Sequence, residues 1–280
     1  MKKNVVLLIA VAFAALCLNV FGQNTHTFDV KISGQGKQSI IFIPGFACSG
    51  EVWDATRSMY EQNYTCYTLT MSGFAGAAAQ PSPTFKKWEE SIASYITEKK
   101  INNPIIIGHS MGGGLALALA ADYPDLISKI IVVDAVPCLA AMNNPEFKSL
   151  DTPDCGRMIS YITTLSDDQF YQTQKRTMPA LLADSSKLEK VVSWSVKSDR
   201  TTFASMYCDF SNTDLRKKIS TIKCPSLILL EAPFSNDKST VSKQYENLKS
   251  ADLRYSTKGL HFIMYDDKNW YEAQLRSFLK

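Results

Sequence analysis

The chain has 280 residues, 45% of them hydrophobic and 20% charged, with Lys+Arg 30 against Asp+Glu 27. That length fits one large domain or two small ones, and fourteen Phe with twelve Tyr exclude disordered, collagen-like and coiled-coil organisation. A formal net charge of +3 with no basic stripe excludes a nucleic-acid footprint. In chain order, residues 1–22 read first, as a secretory signal. Lys2 and Lys3 form a positive start, residues 5–18 an apolar run, and Val20-Phe21-Gly22 a peptidase site with cleavage after Gly22. The run is shorter than the roughly 20 residues of a membrane span, so an uncleaved anchor is the less favoured alternative. Leu16 is too large for a lipobox before Cys17. Removing 22 residues leaves 258, and the loss of two lysines lowers the net charge from +3 to +1. The expected product is a secreted or periplasmic protein over residues 23–280, with no membrane span once the signal is gone.

Export changes how the cysteines read. Cys48, Cys66, Cys138, Cys155, Cys208 and Cys224 remain, an even count that permits disulfides in an oxidising compartment and allows 15 pairings. Cys138 and Cys155 flank one segment and could staple it, while the pairing stays open and several of the six fit buried free thiols equally well. No C-x-x-C motif or Cys/His cluster is present, which argues against zinc.

Residues 27–32 and 39–43 read as strands around the turn Gly34-Gln35-Gly36. A helix over residues 51–62 and a strand over 64–70 follow, then a Gly/Ala/Pro-rich loop over 72–83. Residues 86–100 form an amphipathic helix with Trp88, Ile92, Tyr95 and Ile96 on one face. Residues 104–107 are a short apolar strand, 111–121 a helix and 130–133 a strand. The alternation stops there: residues 138–218 are helical and polar-aromatic, without a strand. It resumes with a strand at 226–230, a helix near 241–248, a strand near 252–256 and a last helix at 268–279. Apolar strands alternating with helices predict a mostly parallel α/β sheet covered on both faces. The segment 138–218 then reads as a helical cap inserted over the sheet's C-terminal edge, where ligands bind in open α/β sheets.

Gly108-His109-Ser110-Met111-Gly112 fits G-x-S-x-G between an apolar strand and a helix. The turn is sharp, so bulky side chains two residues to either side would collide with it, and the serine hydroxyl projects above the sheet at a helix N-terminus. Ser110 is the candidate nucleophile. A serine hydroxyl needs an imidazole to take its proton, and the chain has three histidines. His26 lies near the mature terminus and His109 inside the turn, directed away from the hydroxyl. That leaves His261, between the last strand and the last helix, as the base.

With Ile41-Phe42-Ile43-Pro44-Gly45-Phe46, Gly108-His109-Ser110-Met111-Gly112 and His261-Phe262 before an amphipathic final helix, the chain resembles the α/β-hydrolase superfamily over nearly its whole mature length. The resemblance implies an oxyanion hole made by the backbone N–H groups of Phe46 and Met111. Pro44 stands where relatives usually carry His, and residues 71–76 depart from their Asp-x-x-Gly-x-Gly loop. It also leaves the acid open. Asp134 matches the position after the strand that follows the nucleophile's helix; Asp237 and Glu231 lie after the strand that follows the cap. The aromatic residues of the cap, with Phe170, Phe203, Tyr207 and Phe210 among them, either line an acyl pocket or hold the cap to the sheet. Residues 187–200 read as a solvated helix face, and Trp53 and Trp88 as packing. The implied activity is hydrolysis of a carboxylic ester or related acyl bond of a small substrate, without metal or organic cofactor. The alternatives are a proline-iminopeptidase-like enzyme, a C–C bond hydrolase and a non-catalytic binding protein on the same fold.

Overall fold

Strands that are apolar at every position need cover on both faces, and that requirement organises the architecture. The computed structural model describes residues 26–280, so the signal reading at 1–22 lies outside the described residues. Among the described residues seven strands form one sheet: β1 (Phe28–Ser33), β2 (Gln38–Ile43), β3 (Tyr64–Met71), β4 (Ile105–His109), β5 (Lys129–Val133), β6 (Ser226–Leu230) and β7 (Ala251–Tyr255). Their order is β1-β3-β2-β4-β5-β6-β7. β1 pairs antiparallel with β3; every other neighbouring pair is parallel.

Period-two alternation divides each run between two cores. Ile41 and Ile43 enter one with Trp88, Ile92, Leu115 and Leu119, while Ile40 and Phe42 enter the other with Trp53, Tyr271 and Leu275. Each such side chain contributes roughly 1.5–3 kcal/mol by leaving water. The first core is covered by α2 (Phe85–Glu98) and α3 (Met111–Asp122), the second by α1 (Asp54–Tyr60) and α10 (Lys268–Phe278). Thr84 starts α2 by accepting the Lys87 N–H at 3.1 Å, satisfying one of the helix's orphan donors. The last third of the chain also carries α8 (Lys238–Gln244) and α9 (Ile263–Asp266). Among the described residues no helix is long and apolar enough to cross a membrane.

Between β5 and β6 the described residues contain no strand, only short 3-10 turns and the helices α4 (Gly156–Thr164), α5 (Asp167–Thr177), α6 (Leu188–Val196) and α7 (Arg200–Ser211). This insertion is held to the loop after β3. The Asp199 N–H donates to the Gly73 carbonyl at 2.8 Å, and the Ala75 N–H donates to Ser198 Oγ at 3.0 Å. Residues 187–200 differ from the solvated face expected: Val191, Val192, Trp194 and Ser195 are buried. Glu189, Lys190 and Lys197 are exposed, so only part of the stretch meets water.

The Cys138–Cys155 staple that the spacing allowed does not form. Cys155 is bonded to Cys208, with their Cα atoms 5.7 Å apart, joining the start of α4 to α7. Cys138 is a buried free thiol on the stretch leaving β5, where Gln244 Nε2 donates to its carbonyl at 3.0 Å. Proximity in sequence misled because α4 packs on α7 rather than back on the strand end. Cys48, Cys66 and Cys224 are also buried and free. Burial pushes the Cys48 thiol up to about 12 and those of Cys66 and Cys224 up to about 11, so all three stay protonated and inert near neutrality. α4 buries none of its residues, so the covalent bond to α7 restrains a helix that packing holds weakly. Loop-closure entropy for a bond across 53 residues amounts to about 4 kcal/mol. Cys155→Ser with Cys208→Ser is expected to lower the unfolding free energy by up to about that amount, as measured by urea unfolding of the oxidised protein beside the variant.

Candidate active site

Strand order reverses between β2 and β4: the chain moves outward from β2 to β3 and then returns to β2's other side. The crevice above such a reversal is where open α/β sheets hold ligands. Two loops meet there, the one after β2 carrying Pro44-Gly45-Phe46 and the turn from β4 into α3 carrying Ser110.

Ser110 has φ 53° and ψ −122°, in the left-handed half of backbone space. The turn closes only because its flanks are bare. A Cβ on Gly108 would stand 2.1 Å from the Gly112 carbonyl oxygen, and one on Gly112 would stand 2.4 Å from that of Ile43. The Ser110 N–H donates to the Val133 carbonyl at 2.8 Å, extending the β4–β5 ladder by one bond past the strand. Ser110 is half-buried. Met111 opens α3, so its N–H has no intrahelical acceptor. The loop of Phe46 presses on the same turn, since a Cβ on Gly45 would lie 3.2 Å from Ser110 Cβ.

One strand over, Asp134 follows β5 directly, with φ 51°, and its N–H donates to Leu229 of β6 at 2.7 Å. Its buried carboxylate uses both oxygens. Oδ2 accepts from His261 Nδ1 at 2.6 Å, and Oδ1 accepts the Glu231 backbone N–H at 2.7 Å. Asp237, the alternative acid, is exposed at the start of α8, and the ring nitrogen it would need is taken by Asp134. Glu231 meets Asp134 through its peptide. Burial first, and then the charge of Asp134, push its carboxyl up to about 7.

His261 sits on a loop between β7 and α9 that two aspartates brace. Asp267 accepts from Ser256 Oγ at 2.8 Å and from Thr257 Oγ1 at 3.0 Å, while Asp266 accepts the Leu260 N–H at 3.1 Å. Asp266 also accepts the Asp184 N–H at 2.8 Å, tying this loop to the helical insertion. These two residues escaped the sequence reading; their only signal there is a pair of carboxylates ahead of a helix. Burial by itself would lower the His261 pKa, but the hydrogen bond and charge of Asp134, helped by Glu231, carry it above its ordinary value. Among the described residues no three His, Cys, Asp or Glu side chains converge as metal ligands.

The aromatic residues of the insertion divide between the two expected roles. Phe170 and Trp194 are buried as packing, and Phe210 stacks on Phe85. Phe203 and Tyr207, both on α7, lie over Phe46 with ring centroids at 4.6 and 5.5 Å, and Tyr207 is 43% exposed. Tyr161 is exposed. Apolar rings thus reach the loop beside Ser110 and remain open to solvent.

A family model of the alpha/beta hydrolase fold matches residues 38–250, and the chain belongs to that family. It is similar to the pimeloyl-[acyl-carrier protein] methyl ester esterase of Aliivibrio fischeri (strain MJ11), with 24% identity over 196 residues, 70% of this chain and 74% of that protein. The protein of the same name from Proteus mirabilis (strain HI4320) is 26% identical over 204 residues, with the same shares covered. Among solved structures, the enol-lactonase from Burkholderia xenovorans LB400 superposes with a TM-score of 0.74 at 15% identity, over 91% of this chain and 97% of that one. At that identity the likeness is one of fold.

The raised His261 pKa has a direct check. Its imidazole is expected to titrate above the ordinary value of about 6.5, and Asp134→Asn to bring it below, because burial then acts without the carboxylate. NMR titration of the histidine ring protons from about pH 4 to 9 reads both, with His109 staying neutral near neutrality because burial holds its pKa well down.

Proposed function

We propose that the protein is an exported esterase that cleaves a carboxylic ester of a small substrate through Ser110, His261 and Asp134 and an acyl-enzyme. The observation that carries this reading is the 2.6 Å bond between a buried carboxylate and His261 Nδ1, at the same crevice as a serine held at φ 53°. With Nδ1–H committed to Asp134, the tautomer leaves Nε2 as the lone-pair nitrogen, which is the form a general base needs.

As Ser110 Oγ attacks the ester carbonyl carbon, His261 Nε2 takes its proton, and Asp134 stabilises the resulting imidazolium. The carbonyl oxygen becomes an oxyanion held by the N–H groups of Phe46 and Met111, the second of which adds the positive end of α3. Collapse expels the alcohol, which leaves with the proton from His261. A water molecule, deprotonated by His261, then attacks the acyl-enzyme, and the carboxylic acid departs as Ser110 recovers its proton. His261 must be neutral to start, so activity rises with pH through a midpoint above about 6.5. No step calls for a metal or an organic cofactor.

Curated relatives that are methyl ester esterases support the bond type. Phe203 and Tyr207 beside Phe46 favour an apolar acyl group, and we read the helices between β5 and β6 as the cap that selects it. Export is supported by the basic and apolar character of residues 1–22, and a Cys155–Cys208 bond suits an oxidising compartment.

A fluorophosphonate probe is expected to label the wild type and not Ser110→Ala; an unlabelled, folded wild type would favour the non-catalytic alternative. Asp134→Asn should lower turnover by about 10⁴-fold while keeping the fold, whereas Asp237→Asn should leave it nearly unchanged. Equal retention of activity by both variants would remove the triad. On p-nitrophenyl esters of increasing chain length, run beside amino-acid arylamides, Phe203→Ala and Tyr207→Ala should raise KM more for longer acyl chains than for acetate. Faster turnover of the arylamides would transfer the protein to the peptidase alternative.

A further inference from the structure

His109 has no part in the mechanism above, yet it is 1% exposed and sits next to the nucleophile in the chain. Its Nε2 lies 2.9 Å from the backbone carbonyl oxygen of His261. A carbonyl only accepts, so Nε2 carries the hydrogen and donates. The other nitrogen, Nδ1, is buried without a hydrogen-bond partner. Leaving such an atom dry carries a desolvation penalty that an apolar ring of similar size would avoid. The ring is enclosed by His261, Phe262 and Trp53, with centroids at 4.6, 4.9 and 6.4 Å. Its fourth neighbour is the oxyanion loop: a Cβ on Gly45 would lie 2.7 Å from His109 Nδ1.

One imidazole therefore touches all three pieces that must be in register: the turn bearing Ser110, the loop of Gly45 and Phe46, and the loop bearing His261. We infer that His109 is a positioning residue, whose Nε2–H bond to the His261 carbonyl fixes the base loop against the nucleophile turn. The inference rests on the reading of His261 as the general base. Asp134 holds the His261 ring at Nδ1 and His109 holds its backbone at the carbonyl, and two anchors determine where Nε2 points. Braces from Asp266 and Asp267 act on neighbouring peptides, whereas the bond from His109 is on the base residue itself. A positioning group here must also stay uncharged while His261 carries a proton. Burial, and then the charge of His261, hold the His109 pKa well below its ordinary value, so the anchor stays neutral through the cycle.

The test compares His109→Phe, which fills the space without a donor, with His109→Gln, whose amide nitrogen reaches to the same distance. Thermal unfolding and ester kinetics are measured for both, together with the rate of fluorophosphonate labelling. His109→Phe is expected to lower kcat and the labelling rate by about 100-fold with KM little changed, and His109→Gln to restore kcat to within about threefold of wild type. Should His109→Phe not fold, His109→Asn makes the same comparison, since it offers a donor too short to reach. Two results overturn the proposal: a donor-less or short variant as fast as wild type, or a folded His109→Gln as slow as His109→Phe. Wild type that fails to label at Ser110 overturns the triad reading and this inference with it, whereas labelled wild type with a fast His109→Phe removes this inference alone.

Discussion

Everything at the crevice depends on one turn in which the chain leaves β4 and enters α3 within a single residue. Ser110 accepts φ 53° and ψ −122°, a conformation that costs a non-glycine residue about 1–3 kcal/mol. The cost is sustained because the neighbours leave no other path. β4 is clamped between β2 and β5, and α3 is buried along almost its entire length. Gly108 and Gly112 permit the turn, and the bare face of Gly112 lets the carbonyls of Ile43 and Pro44 approach it. That approach brings the loop of Phe46 against Ser110. Three of the seven non-glycine residues with positive φ among those described, Ala47, Ser110 and Asp134, lie on the loops that meet at this crevice.

Charge is arranged around the turn with similar economy. A buried carboxylate is tolerable when each oxygen has a donor, and Asp134 has the Glu231 peptide on one oxygen and His261 on the other. The pairing raises the base and burial raises Glu231 to about 7, so both groups keep their protons to higher pH than they ordinarily would. His109 shows the opposite outcome for the same side chain. Two imidazoles 4.6 Å apart are driven in opposite directions because only one has a carboxylate beside it.

The helical insertion is attached to this frame by a shared apolar core and by hydrogen bonds, among them those at residues 73 and 75, Asp209 on the Phe85 N–H, and the bond from Asp266 to the 183–184 loop. Within it, α4 lacks buried residues and relies on the disulfide to α7. α7 in turn carries the two rings over Phe46. The disulfide thus joins α4 to the element that carries these rings.

Much of this was legible in the residues. Short apolar runs, such as the four residues Ile40-Ile41-Phe42-Ile43, determine buried parallel strands when helices alternate with them, and Gly108 and Gly112 two residues either side of Ser110 determine a turn only small residues allow. His261 could be reached by elimination because the chain has so few histidines. The partner of its Nδ1 could not: Asp134, Asp237 and Glu231 all follow strand ends, and only the β5–β6 register brings one carboxylate to 2.6 Å. The pairing of Cys155 with Cys208 and the contact of His109 with the His261 carbonyl were equally invisible, since each joins residues far apart in the chain. Local pattern determined which elements form and which side chains carry chemistry, because period and turn sterics act over a few residues. Which of those side chains meet was decided by the tertiary structure, because hydrogen bonds are made at distances of about 3 Å that no spacing along the chain encodes.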